Sequence, residues 1–243
     1  MLVTNIGVMN YSNTPDAEIL TWMRATEQQM AEDVAPIWHL PAPRFNLVRQ
    51  GDNTAGIDSW IVVANDAHDI TQRFGLGWHR LYFNQPIGYV LVEFTKSDGQ
   101  TPSRVFSHEV LEMAVDPEMN RRTPPIDGIQ YLVEAGDVLS FDAGGYLIDD
   151  VLVSGFGTPA YFHLESGSVF AFRRNGTTPP EVDGPLPAKA PQAMGTMLCW
   201  VQNGQLMTKL LAPTRAREQY REAPMHSRRY RRRLDRTRWD RID

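Results

Sequence analysis

Cysteine, lysine and long apolar runs are all scarce in this chain. Its only cysteine among 243 residues is Cys199, which excludes an intramolecular disulfide and a zinc site built from cysteines. The longest apolar runs, such as residues 60–64, fall far short of the roughly 18 residues that a membrane helix needs. No basic segment precedes an apolar stretch near the N-terminus, as in a secretory signal. We therefore expect a cytoplasmic protein with no membrane partner.

Positive charge is concentrated at one end of the chain. Residues 215–243 carry eleven arginines and five carboxylates, a balance of +6, so the overall charge of −5 leaves −11 for residues 1–214. Arginine is an adequate helix former, and Pro224 interrupts the segment only once. We therefore expect an acidic domain over residues 1–213 and a helical, arginine-rich extension over residues 214–243.

The densest part of the extension predicts a binding arm. Guanidinium groups pair in a bidentate manner with carboxylate or phosphate, so the expected partner is an acidic protein surface or a nucleic acid. A solvated tail, or one folded against the acidic domain, is the alternative. The arginines that would make the contact are Arg228, Arg229, Arg231, Arg232 and Arg233.

Hydrophobic periodicity predicts an α+β fold in the order β-α-β-β-β-α, followed by a β-rich second half. The first helix is predicted over residues 15–34, with Pro36 ending it. The second helix is predicted to begin after Thr101, with Pro102 in its first turn, and to end at Asp116. Predicted strands lie near residues 2–9, 45–48, 60–64, 87–94, 131–134, 138–141, 146–153 and 168–172, and a hairpin turns at residues 203–204.

The second helix contains the motif HExxE. His108 and Glu112 are four residues apart, so both side chains project from one helical face and can donate to one cation. Glu109 follows His108 directly, as does the glutamate that accepts a proton from metal-bound water in zinc peptidases. Glutamate is an accepted zinc ligand and shifts a site towards harder cations. We therefore expect a divalent metal, with zinc as the first choice and manganese or calcium left open.

The third ligand has more than one candidate. Glu134, 22 residues after Glu112, is the first choice. Asp137 is a second possible ligand, or it holds His108 through the other ring nitrogen. Asp116 is expected to cap or orient because it lies two turns beyond His108. His79 lies in a predicted glycine-rich loop, where it either contacts substrate or metal or makes an ordinary hydrogen bond.

Residues 107–117 and 134–137 read SHExLEMxxDP and ExxD. They resemble a group of largely uncharacterised zincin-like proteins of bacteria and phages, with more distant relatives among secreted plant proteins. Residues 28–38, 77–79 and 154–162 resemble other segments of the same family. The resemblance covers roughly residues 1–210, and it implies a zincin-like fold with the motif helix under a mixed sheet.

Two main classes of function follow from these observations, and a nucleic-acid-binding protein that uses the extension is a third. The first is a metallopeptidase-like hydrolase, with a metal held by His108, Glu112 and Glu134 and with Glu109 as the base. The second is a non-catalytic structural protein of a larger assembly such as a phage virion, docked through the arginine-rich extension, which has no counterpart in the family pattern. His79 is included among the candidate catalytic residues of the first class.

Overall fold

The computed structural model describes residues 1–66, 76–174, 182, 184–186, 196–202 and 205–211. Within them the chain is an α+β protein with a five-stranded mixed sheet, two main helices and a second half of short strands. The predicted fold class is confirmed at that level. The arginine-rich extension predicted over residues 214–243 lies outside the described residues.

The sheet has three parallel pairings and one antiparallel edge. Its strand order is β2-β1-β3-β5-β4, and only β4 runs antiparallel to its neighbour. Five of the six residues of β3 are buried, as is typical of a parallel strand covered on both faces. The strands are β1 Asn5–Tyr11, β2 Arg44–Leu47, β3 Ser59–Ala64, β4 Gly77–Tyr82 and β5 Gln85–Leu91.

The first helix is longer than the sequence predicts. Helix α1, Asp16–Gln29, continues through a π-helical turn, Met30–Val34, into the short α2, Ala35–Trp38. The prediction that Pro36 ends this helix was wrong. Pro36 lies in the first turn of α2, where a missing backbone N–H costs least.

The motif helix is α4, Pro102–Val115, and it begins after Thr101 and ends before Asp116 as predicted. It follows a short helix, α3 Val92–Ser97, which replaces the end of the strand predicted over residues 87–94. Helix α4 packs against β4, β5, α1 and α3, and all of its residues are buried. Its polar side chains must therefore find partners inside the protein.

The second half of the chain packs around the motif helix. Of residues 138–141, predicted as a strand, the first two lie instead in a 3₁₀ helix, Gly136–Leu139, which contacts α4, and the other two lie in no strand. The strands are β6 Gln130–Tyr131, β7 Tyr146–Ile148, β8 Val151–Val153, β9 Phe156–Gly157, β10 Ala171–Phe172, β11 Thr196–Gln202 and β12 Gln205–Leu211. Strands β11 and β12 pair in register up to Gln202 and Gln205, which confirms the predicted hairpin.

Among the described residues, no helix combines the length and the apolar character needed to cross a membrane.

Candidate metal centre

Helix α4 places His108 and Glu112 side by side, as their spacing predicts. The Nε2 atom of His108 lies 3.3 Å from Oε1 of Glu112. The Oδ1 atom of Asp137, in the 3₁₀ helix, lies 3.4 Å from the same nitrogen. We call these three residues, His108, Glu112 and Asp137, the His108 triad.

A second group forms on the other side of Glu112. The Nδ1 atom of His79 lies 3.3 Å from Oε2 of Glu109 and 3.3 Å from Oε2 of Glu112. We call His79, Glu109 and Glu112 the His79 triad. The expectation that His79 lies in a loop was wrong, because it belongs to β4, where it pairs with Gly88 of β5. The antiparallel edge of the sheet thus brings it over the motif helix.

Asp137, and not Glu134, is the acidic residue that the structure brings to His108. Asp137 approaches the same ring nitrogen as Glu112, so it does not orient His108 through the other nitrogen. Glu134 belongs to neither triad. Its backbone carbonyl accepts a 3.2 Å hydrogen bond from the Asp137 amide, and it lines a small cavity with Tyr161 and Cys199.

Both triads meet the basic geometry of a metal site. In each one, three ligand atoms lie within 4.8 Å of one another. The five side chains are at most 4% exposed. These buried groups could hold a metal ion.

The spacing within the triads fits metal ligands better than direct ion pairs. A tetrahedral ion with bonds of about 2.0–2.2 Å separates neighbouring ligand atoms by about 3.3–3.6 Å. Charge-assisted hydrogen bonds are shorter, at about 2.7–2.9 Å. The four nitrogen–oxygen distances, 3.3, 3.3, 3.3 and 3.4 Å, all lie in the first range.

The electrostatics of the cluster also call for a cation. Glu109, Glu112 and Asp137 carry a charge of about −3 when ionised, and burial makes such a concentration costly unless positive charge is nearby. The triads themselves contain no lysine or arginine. Protonation of the carboxylates, protonated histidines or a bound cation would each relieve this charge.

Two glycines outside the HExxE motif leave space for the side chains of the site. A Cβ atom on Gly136 would lie 2.6 Å from Nδ1 of His108, so the backbone of the 3₁₀ helix packs directly against the imidazole. A Cβ atom on Gly77 would lie 2.7 Å from Oε1 of Glu109. Both glycines adjoin a proposed ligand in the fold, and each leaves space that any other residue would fill.

Polar contacts at both ends of α4 hold the helix in place. At its start, Arg104 and Thr101 donate hydrogen bonds of 2.8 and 2.6 Å to the two carboxylate oxygens of Asp142. At its end, Asp116 accepts hydrogen bonds from the backbone amides of Asn120 and Arg121, both at 3.0 Å. Asp116 therefore caps the following loop, as expected, and belongs to neither triad.

No protein-family model matches this chain, and neither a curated protein nor a solved structure matches it. The chemistry of the site is therefore inferred from its own side chains.

Proposed function

We propose that this protein binds a divalent cation through the His108 triad and uses it to hydrolyse its substrate, in the manner of the zincin-like proteins that its motifs resemble. The observation that carries the proposal is the convergence of an imidazole nitrogen and two carboxylate oxygens at 3.3–3.4 Å in a buried setting. Asp137 takes the place of Glu134 as the third ligand.

The donor set favours zinc or manganese. Each triad offers one imidazole nitrogen and two carboxylate groups. Calcium takes oxygen ligands almost exclusively, so the imidazole disfavours it. Imidazole suits zinc, whereas carboxylates suit manganese.

Glu109 and His79 provide the proton acceptor when only the His108 triad is occupied. A bound ion would supply a Lewis acid and lower the pKa of a water molecule. Oε2 of Glu109 lies 3.3 Å from Nδ1 of His79, so the imidazole orients the carboxylate and can share a proton with it. Glu109 is adjacent to His108 in the chain, which keeps this pair next to the site.

Cobalt(II) titration of metal-free protein tests the proposal without knowledge of the substrate. We expect a visible absorption band that weakens strongly in His108→Ala and Asp137→Asn. Glu93→Gln, which changes an exposed carboxylate paired with Lys96, is the matched control and should behave as wild type. A spectrum and stoichiometry that are unchanged in both site variants would rule out the His108 triad.

Burial of the site favours a second candidate, a structural ion. Structural zinc sites are closed, whereas catalytic sites keep an open position. The side chains here are at most 4% exposed, and several carboxylates around one ion weaken it as a Lewis acid. In that case the protein is a component of a larger assembly, such as a virion, docked through its arginine-rich extension.

Acetohydroxamate separates the two candidates, because it ligates a metal only where a coordination position is open. The hydrolase proposal expects it to change the cobalt spectrum, in wild type and in Glu109→Gln alike. An unchanged spectrum would favour the structural ion.

The docked protein is tested by deletion of residues 215–243. The deletion should leave the thermal midpoint nearly unchanged and abolish binding to polyglutamate or duplex DNA. Binding of the full chain to duplex DNA should weaken steeply as the salt concentration rises.

A further inference from the structure

We propose that the His79 triad binds a second divalent cation, so that Glu112 bridges two ions. This inference rests on the proposed ion in the His108 triad and extends it. The resulting centre would use five side chains from three parts of the chain, namely β4, α4 and the 3₁₀ helix.

The two triads have equivalent donor sets. Each combines one imidazole nitrogen, one carboxylate of its own and the shared carboxylate of Glu112. In each, the imidazole nitrogen lies at almost the same distance from both carboxylates: 3.3 and 3.3 Å for His79, and 3.3 and 3.4 Å for His108. The donor atoms that favour an ion at one triad therefore favour one at the other as well.

The carboxylate of Glu112 is divided between the two histidines. Its Oε1 atom faces His108, and its Oε2 atom faces His79, each at 3.3 Å. The two histidines do not share a triad. A carboxylate that offers one oxygen to each side is a natural bridge, and hydrolytic two-metal centres hold their ions about 3.5–4 Å apart.

A protonated histidine explains this arrangement less well. Imidazolium has a single N–H at Nδ1 and can aim it well at one acceptor. The contact of His79 Nδ1 with Glu109 has hydrogen-bond geometry, but Glu112 lies at the same distance, and 3.3 Å is longer than the roughly 2.7–2.9 Å of a charge-assisted hydrogen bond. Two oxygens at about 3.3 Å from one imidazole nitrogen also match the separation of neighbouring ligands around a single cation.

The second ion gives Glu109 a different role. In the two-ion form Oε2 of Glu109 is a ligand, so loss of this carboxylate removes an ion. Gly77 leaves the space that the other oxygen occupies, since a Cβ atom there would lie 2.7 Å from Oε1. The metal content of Glu109 variants therefore distinguishes a ligand from a base that leaves the metal untouched.

Equilibrium dialysis of the full metal-free chain against zinc(II), followed by elemental analysis, tests the proposal. We expect two ions per chain in wild type and in the control Glu93→Gln, and one ion in Glu109→Gln, His79→Ala and Asp137→Asn. One ion in both wild type and Glu109→Gln, but none in Asp137→Asn, would overturn the second ion and leave the first standing. No ion in wild type would overturn both. Two ions retained in both Glu109→Gln and His79→Ala would place the second ion elsewhere and also overturn the proposal.

Electron paramagnetic resonance of the wild type loaded with manganese(II) provides a readout that needs no folded variant. Two manganese ions joined by a carboxylate are magnetically coupled, and we expect that coupled spectrum at two equivalents. The sum of isolated-ion signals at two equivalents would contradict a bridged pair.

Discussion

Glu112 is the residue on which both triads depend. It is fully buried, and its two oxygens contact two different histidines. Glu109 and Asp137 each contact only one of those histidines in the triads. The shared carboxylate therefore couples the two halves of the site, so that a change on one side alters the ligand available to the other.

Gly136 is the residue whose substitution tests the support of the site without touching a ligand. In Gly136→Ala the new Cβ atom would lie 2.6 Å from Nδ1 of His108 and displace the ring. Loss of such support costs about 10- to 100-fold in metal affinity, and we expect a zinc dissociation constant raised by that factor in isothermal titration calorimetry.

Gly167→Ala is the control for this substitution. Its Cβ atom would meet only the Ala160 methyl group, at 3.1 Å, and Gly167 belongs to neither triad. Equal affinities for the two variants would mean that the contact between Gly136 and the His108 ring does not position the ligand.

Local spacing predicted only part of this arrangement. His108 and Glu112 could be paired from the sequence because a helix fixes neighbours four residues apart. His79 and Asp137 could be named as candidates but not placed, since their contacts with α4 depend on strand pairing and on a 3₁₀ helix. Whether Glu134 or Asp137 approaches His108 depends on the direction of the chain within one short turn. Sequence spacing does not reveal that direction.

At the scale of elements, α4 is held at its start by a partly buried ion pair. The Arg104 side chain is 2% exposed, and its Nε donates a 2.8 Å hydrogen bond to Asp142. Asp142→Asn removes the charge from the carboxylate that accepts this hydrogen bond, and we expect the free energy of unfolding to fall by about 1.5–3 kcal/mol. Urea denaturation measures it. Asp16→Asn, which affects the exposed pair with Arg49, should shift the midpoint much less; equal shifts would contradict this account.

The π-helical turn after α1 is held by a buried polar network. Tyr146 donates a 2.8 Å hydrogen bond to Asp33 and accepts one of 3.0 Å from Gln29. Burial, followed by the Asp33 carboxylate, raises the pKa of the Tyr146 hydroxyl above its usual value. The network joins the first helix to the β7–β8 hairpin.

The raised pKa predicts a pH-dependent effect of Tyr146→Phe. The native state keeps this tyrosine neutral, whereas in the unfolded chain it ionises near its ordinary pKa of about 10. Its contribution is therefore complete below about pH 10 and is lost as the pH rises further. We expect Tyr146→Phe to cost about 1–2 kcal/mol at pH 7 and to lose less stability than wild type between pH 9 and 11. Parallel pH profiles in urea denaturation would contradict the assignment.

Residues typical of helix ends predicted the bounds of the helices better than an isolated proline did. Thr101 and Pro102 at the start, and Asp116 at the end, gave the correct bounds of α4, although the Thr101 hydroxyl donates to Asp142 and not to the helix backbone. Pro36 misled because the π-helical turn before it allows the helix to continue. The end of β5 at Leu91 was also missed, since Val92 and Phe94 continue the apolar pattern into α3.

At the scale of the whole molecule, the site connects the sheet to the second half of the chain. Its candidate ligands come from the edge strand, the motif helix and the 3₁₀ helix, and the motif helix packs against the other two. An ion at the His108 triad would join α4 to the 3₁₀ helix, and one at the His79 triad would join α4 to the edge strand. Because the native state alone brings these residues together, metal binding would be thermodynamically linked to folding.

Chelation tests this linkage. An ion present at one hundred times its dissociation constant contributes about 2.7 kcal/mol, which corresponds to roughly 5–10 °C in a chain of this size. We expect EDTA to lower the thermal midpoint of zinc-loaded protein by that amount in scanning calorimetry. Glu112→Gln should show no effect of EDTA. An equal drop in that variant would mean that the stabilising ion lies outside both triads.

The most direct measurement is a crystal structure of the zinc-loaded protein with anomalous data collected at the zinc edge. The account predicts an anomalous peak between Nε2 of His108, Oε1 of Glu112 and Oδ1 of Asp137, with each bond at about 2.0–2.2 Å. Absence of a peak at this position from crystals grown with excess zinc, with the His108 and Asp137 side chains still 3.4 Å apart, would contradict it.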